Sequence, residues 1–142
     1  MKQLYQSLYV QGQISEQDFS DISAKGIKTI INNRPDNEEP GQPSHEEIAA
    51  IAAKQGIDYV YLPMVNGQPL PPSLVNDFKT VLDNTNDPVL VHCRSGMRSS
   101  FIWALGQIES GQLSPDEVID AAQNANIPLA NYRTVLESVV TS

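Results

Sequence analysis

The chain has 142 residues and a net charge of −8, a size that fits one domain and a balance that disfavours nucleic acid and anionic membrane surfaces. Its single cysteine excludes an intramolecular disulfide, and no apolar run is long enough to span a bilayer. The opening MKQLYQSLYVQGQ lacks the apolar core of a secretory signal, so a cytoplasmic protein is expected, with export left open if a signal was removed.

Residues 4–10, LYQSLYV, carry the aromatic and β-branched content of a first strand. Ser15 then caps a helix, with Ile14 and Phe19 at staple spacing, Phe19 and Ile22 on the buried face, and Gly26 at the end. Ile27 to Ile31 make a second strand, which runs into the polar loop NNRPDNEEPGQP. Ser44 and Glu47 form a capping box for an Ala-rich helix that stops at Gly56. Residues 57–63 form a third strand, and MVNGQPLPPS a loop. Leu74, Val75, Phe78, Val81 and Leu82 mark a third helical face. The run VLVH, after Asn86-Asp87-Pro88, is a fourth strand. It turns at Cys93 into a helix starting near Ser99, whose apolar face is Phe101, Ile102, Leu105 and Ile108. Ser114, Pro115 and Glu117 complete another helix start, and a last helix is expected from about Asn131 to Val140. Alternating strands and helices predict an α/β fold: three layers, with a mainly parallel four-stranded sheet between helices. Without a linker, repeat or low-complexity tract, one domain is expected over residues 1–142.

Ligands of such sheets bind at the carboxyl ends of strands, which selects the loops 32–43, 64–72 and 93–98. A lone cysteine after an apolar strand is by default a small buried hydrophobe. Cys93, however, precedes a helix N-terminus and has Arg94 and Arg98 beside it. Both features stabilise a thiolate, and helix N–H groups favour an anion. Cys93 and Arg98 are therefore the candidate catalytic pair. Arg94, Ser95, Gly96, Met97 and Ser99 complete an anion-binding loop. In it Gly96 allows the tight turn, Arg98 offers a bidentate fork, and Ser99 can donate to the sulfur or the anion. His92 is expected to orient the loop by hydrogen bonding rather than to act as a base. A satisfied core histidine is the equal alternative. Arg34 and Asp36 form a turn-making ion pair or line the pocket, with equal weight. His45 is expected to face solvent, Trp103 to belong to the core, and the glutamates around 38–47 to form a solvated surface. Two histidines and one cysteine give no metal-like spacing, and no cofactor is called for.

HCRSGMRSS resembles the signature loop of cysteine-dependent protein phosphatases, and the order of elements resembles their dual-specificity branch. With GQIS near the start, NNRPDNEEPGQPS in the middle and HCRSGMRS late, the chain is similar over roughly residues 4–125 to a closer family. This is the bacterial phosphatase-like domain that also forms the N-terminal part of β-lactamase-hydrolase-like proteins. The resemblance implies a protein-tyrosine-phosphatase-like fold. Two departures stand out. Only four residues separate Cys93 from Arg98, one fewer than in the phosphatases and as in the Cys-Arg-x-Gly-x-Arg loop of single-domain rhodaneses. Residues 59–76 contain no Asp or Glu, and Asn66 stands where the phosphatases carry an acid. Asp36, Glu38 or Glu39 substitutes, or no strong general acid is needed.

Three functions follow as expectations. The first is a phosphatase working through a phosphocysteine at Cys93. The second is a sulfurtransferase carrying a Cys93 persulfide. The third is an anion- or protein-binding module with little turnover. The partner is accordingly a phosphorylated or sulfur-bearing small molecule or protein, and the oligomeric state is not legible.

Overall fold

The computed structural model describes residues 1–140. A single five-stranded sheet has the order β1-β2-β5-β3-β4. Its strands are β1 (Lys2–Tyr5), β2 (Leu8–Gln11), β3 (Thr29–Asn32), β4 (Asp58–Tyr61) and β5 (Val89–His92). The pairs β2–β5, β5–β3 and β3–β4 are parallel, and β1 joins β2 antiparallel. The sheet therefore has five strands and not the expected four. LYQSLYV is the inner part of a hairpin rather than one strand: Tyr5 pairs with Leu8 across Gln6 and Ser7, and Gln6 takes φ 51°. A non-glycine residue in the left-handed region is uncommon, which is why composition alone does not reveal this turn.

The β5 strand occupies the middle of the sheet, and all four of its residues are buried. A short, β-branched run, apolar except for its last residue, suits a strand covered on both faces. Side chains alternate across it. Leu90 packs with Ile14, Phe19, Ile22, Ile30 and Ile48 on one face, under α1 (Phe19–Ala24) and α2 (His45–Lys54). Val89 and Val91 pack with Ile31, Phe78, Ile102 and Trp103 on the other. That face is covered by α3 (Pro72–Asp83), α4 (Met97–Glu109) and α5 (Pro115–Asn124). Each fully buried Leu, Ile or Phe contributes roughly 1.5–3 kcal/mol, so these two layers outweigh local propensity in holding the helices.

Several boundaries differ from expectation. A 3-10 turn (Glu16–Asp18) precedes α1, with the Ser15 N–H donating to Asp18. Ser44 accepts from the Glu47 N–H at 3.1 Å, but no return bond from Glu47 closes a box. Ser114 and Glu117 do bond in both directions. The expected C-terminal helix is instead a 3-10 turn (Leu129–Tyr132) followed by a short α6 (Arg133–Ser138). Leu136 is buried there, while Tyr132 and Val135 stay exposed. No helix among the described residues is long and apolar enough to cross a membrane.

Candidate active site

Parallel register places Gln11, His92, Asn32 and Tyr61 side by side at the carboxyl ends of β2, β5, β3 and β4. The loops after these strands converge there. Cys93 is fully buried, with the loop closing round it. The Gly96 N–H donates to Cys93 Sγ at 3.1 Å, and Gly96 takes φ 95° as the residue that starts α4. Helix α4 thus begins at Met97, two residues before the expected start. Its first N–H groups lack intrahelical acceptors and open toward the loop.

The position of Arg98 comes from the other two loops. Its Nη1 donates to Glu38 Oε2 at 2.7 Å and to the Met64 carbonyl at 2.9 Å, and its Nη2 donates to Glu38 Oε1 at 2.7 Å. Burial opposes the Arg98 charge, but the Glu38 bonds and the nearby Cys93 sulfur outweigh it and raise its pKa. Glu38 is held below the ordinary carboxylate range, first by its hydrogen bond to Arg98 and then by Arg34. A carboxyl so held is an acceptor and a counter-charge, not a proton donor.

Arg34 is buried and does not pair with Asp36. Its Nε donates to Glu38 Oε1 at 2.9 Å and its Nη1 to Gln13 Oε1 at 3.0 Å, while Nη2 lies 3.0 Å from Glu39 without hydrogen-bond alignment. Asp36 turns away from the cysteine loop and accepts from the His45 backbone N–H at 2.8 Å. His45 Nδ1 lies 2.6 Å from its other oxygen. His45 is therefore half-buried, with its ring stacked on Tyr61 at 3.8 Å, rather than solvent-facing. The glutamates of this loop are exposed, as expected, and Glu38 and Glu39 in addition face arginines. Ser99 is also corrected. It is buried, and its hydroxyl donates to Asn33 Oδ1 at 2.8 Å instead of to the sulfur or an anion. Trp103 lies in the core.

His92 is fully buried, and burial lowers its pKa to about 4 against a weaker opposing effect of the Cys93 backbone. Neither ring nitrogen has a hydrogen-bond partner, so the expected orienting bond is absent. A neutral imidazole at the end of the sheet's central strand is a packing group. Among the described residues no cluster of three or more His, Cys, Asp or Glu could hold a metal ion.

Two residues escaped the sequence reading. Asn33 is fully buried and ties the site together: its N–H donates to the His92 carbonyl at 2.8 Å, its Nδ2 to the Leu62 carbonyl at 2.8 Å, and its Oδ1 takes the Ser99 hydroxyl. Gln13 meets Arg34, and its backbone N–H reaches the Arg94 carbonyl at 3.3 Å. An Asn at a strand end is the one signal available, and it is a weak one. Outside the loop lies a cleft of about 520 Å³. Asn66, Arg94, Ser95, Met97 and Arg98 are among the residues that line it. Arg94 is largely exposed and sits 3.7 Å from Glu39.

Comparison with known proteins agrees with this fold. Residues 1–110 match the family described as "Beta-lactamase hydrolase-like protein, phosphatase-like domain". A beta-lactamase hydrolase-like protein of Agrobacterium fabrum is 33% identical over 130 residues, covering 92% of this chain and 30% of that protein. The chain thus spans under a third of the length of that curated relative. A candidate phosphatase of Neisseria meningitidis has a similar structure, with TM-score 0.86, 34% identity, and 96% of this chain and 95% of that one covered. The Siw14 catalytic core is similar in fold, with TM-score 0.68, 20% identity, and coverage of 96% and 82%.

Proposed function

The chain belongs to the phosphatase-like domain family of beta-lactamase hydrolase-like proteins, and on that premise we propose that it is a cysteine-dependent phosphatase. The observation that carries this reading is Cys93 Sγ, held by the Gly96 N–H at the mouth of α4 with the Arg98 guanidinium fixed beside it. A thiolate at Cys93 attacks phosphorus, the phosphorus–oxygen bond to the leaving group breaks, and a phosphocysteine forms. Arg98 and the loop N–H groups bind the non-bridging oxygens as charge moves onto them. Glu38 is held as a carboxylate and Asp36 is turned toward His45, so the leaving oxygen takes its proton from solvent. Water then cleaves the sulfur–phosphorus bond and releases phosphate.

One observation favours a second reading. The four-residue spacing between Cys93 and Arg98 makes a tight ring, and no side-chain acid stands ready. A single sulfur atom passed from a sulfane donor to Cys93, and from that persulfide to an acceptor thiol, needs neither room for a tetrahedron nor a strong acid.

A parallel assay separates the two. Wild type and Cys93→Ser are tested for release of an aryl alcohol from an aryl phosphate. The wild type, after thiosulfate or glutathione persulfide, is weighed by mass spectrometry. Aryl phosphate turnover that disappears in Cys93→Ser is expected. No turnover by the wild type, or turnover that survives the substitution, overturns the phosphatase. Added sulfur on Cys93 without phosphate release moves the assignment to sulfur transfer. Binding of phosphate without either activity leaves an anion-binding module.

A further inference from the structure

A second cavity, of about 540 Å³, lies at the opposite pole of the sheet from the cysteine loop. Leu8 and Val89, the first residues of β2 and β5, are part of its lining. Its volume falls within the roughly 300–1,000 Å³ of small-molecule sites. Three segments meet around it: the β1–β2 turn, the loop between α3 and β5, and the end of α4 with its connection to α5. Backbone bonds fix these walls. The Val89 N–H donates to the Ser7 carbonyl at 3.0 Å, the Asp87 N–H to Thr85 Oγ1 at 3.2 Å, and the Gln112 N–H to the Gln107 carbonyl at 2.9 Å.

Gln6, Asn86, Gln107 and Gln112 line this cavity, and their side-chain amides have no hydrogen-bond partner among the described residues. An amide donates and accepts at once. No lysine, arginine or histidine lines the cavity, and Asp87 is its one charge. An anion therefore finds no counter-charge there, and the groups that suit the lining are neutral ones that also donate and accept. Tyr5 adds a half-buried ring, backed by the buried Trp103 at a centroid distance of 5.7 Å and a tilt of 40°. Gln6 supplies a second observation. It holds φ 51° in the hairpin turn, where glycine would carry no strain. Strained residues of this kind persist at ligand clamps. The Gln6 side chain is exposed and bonds to nothing in the fold, so the turn gains nothing from it, whereas the cavity gains an amide.

We propose that this cavity is a second binding site, separate from the cysteine loop, and that it takes a small neutral polyhydroxylated ring, a monosaccharide unit. Neighbouring hydroxyls of such a ring bond to the amides and to Asp87, and its C–H face lies against Tyr5. The site stands whether or not residues 93–98 turn over a phosphate.

The test is saturation-transfer NMR with glucose, galactose, mannose and N-acetylglucosamine, and with adenine as a flat neutral ring without hydroxyls. Transfer to at least one of the sugars is expected, in the wild type and equally in Cys93→Ser. Its Kd should weaken about tenfold in Gln112→Ala and in Gln6→Gly, the effect of one or two lost hydrogen bonds. Gln6→Gly should nevertheless melt no lower than the wild type, because glycine adopts a positive φ freely. Transfer to none of the sugars, or to adenine alone, overturns the proposal. So does sugar binding that both glutamine variants retain, and binding lost in Cys93→Ser places the sugar at the cysteine loop instead. A lower melting temperature in Gln6→Gly would make that side chain part of the turn and overturn its role as a ligand group.

Discussion

A guanidinium has five N–H donors, and the site accounts for three on Arg98. Glu38 takes two across Nη1 and Nη2, and the Met64 carbonyl takes one more on Nη1. The Nε–H and the second N–H of Nη2 remain on the side edge, a pair that matches two oxygens of a bound anion. Glu38 therefore acts as a splint: it holds the far end of Arg98 and leaves the near edge open to an anion. Charge-assisted bonds of this kind contribute about 1.5–3 kcal/mol, so Glu38→Gln should lower kcat/KM for an aryl phosphate roughly tenfold to a hundredfold. KM should rise, and Glu38→Asp should recover part of the loss. Higher activity in Glu38→Gln would mean that the carboxylate competes with substrate for the guanidinium. The sequence offers Glu38 as a substitute acid and not as a partner of Arg98, because Arg98 lies 60 residues away. Cys93 and Arg98 were legible because their relation is local, fixed by one turn at a helix start.

The same division holds among elements. Gly96 stands inside the cysteine loop and could be read as a turn maker. Gly12, just after β2, is as closely bound to the site, yet the sequence shows it only as the first residue of GQIS, 81 positions before Cys93. A Cβ at Gly12 would lie 2.5 Å from the Arg94 carbonyl oxygen, a backbone atom that cannot swing aside. The neighbouring Gln13 N–H bonds to that same carbonyl, so the end of β2 and the loop after β5 are fitted to one another. Gly12→Ala should push the loop off the Gly96–Cys93 geometry and cost about 1–3 kcal/mol, the range for overpacking. Loss of Cys93-dependent turnover should exceed what the drop in melting temperature explains. Wild-type turnover and stability in Gly12→Ala would show that the loop tolerates displacement. The β1–β2 hairpin was missed for a related reason. Its turn uses Gln6 and Ser7 instead of glycine or asparagine, so the strand signal runs through it unbroken.

At the scale of the molecule, strand–helix alternation led correctly to a largely parallel sheet, because the apolar runs of β3 and β5 suit strands buried on both faces. The cost of that burial is visible at His92. It ends the central strand β5 with no exposure and no hydrogen-bond partner for its ring. Its pKa falls from an ordinary 6.5 to about 4 because burial disfavours the imidazolium. Unfolding restores the ordinary value, so between these two pKa values the unfolded chain binds the extra proton. The stabilisation is complete above the unfolded pKa and is lost as pH falls through the folded one. From neutral pH to about pH 5 the loss is about 2 kcal/mol, since one proton taken up on unfolding costs about 1.36 kcal/mol for each pH step of one below the ordinary value. Urea unfolding of the wild type at the two pH values should show this difference. In His92→Asn it should shrink to what the remaining groups supply, whatever the variant's absolute stability. Glu38 adds a loss of the same sign, but only below the ordinary carboxylate range, so it leaves this window nearly untouched. An unchanged pH difference in His92→Asn would show that the imidazole is reached by water or a proton acceptor in the folded protein, and that His92 titrates freely beside the cysteine loop.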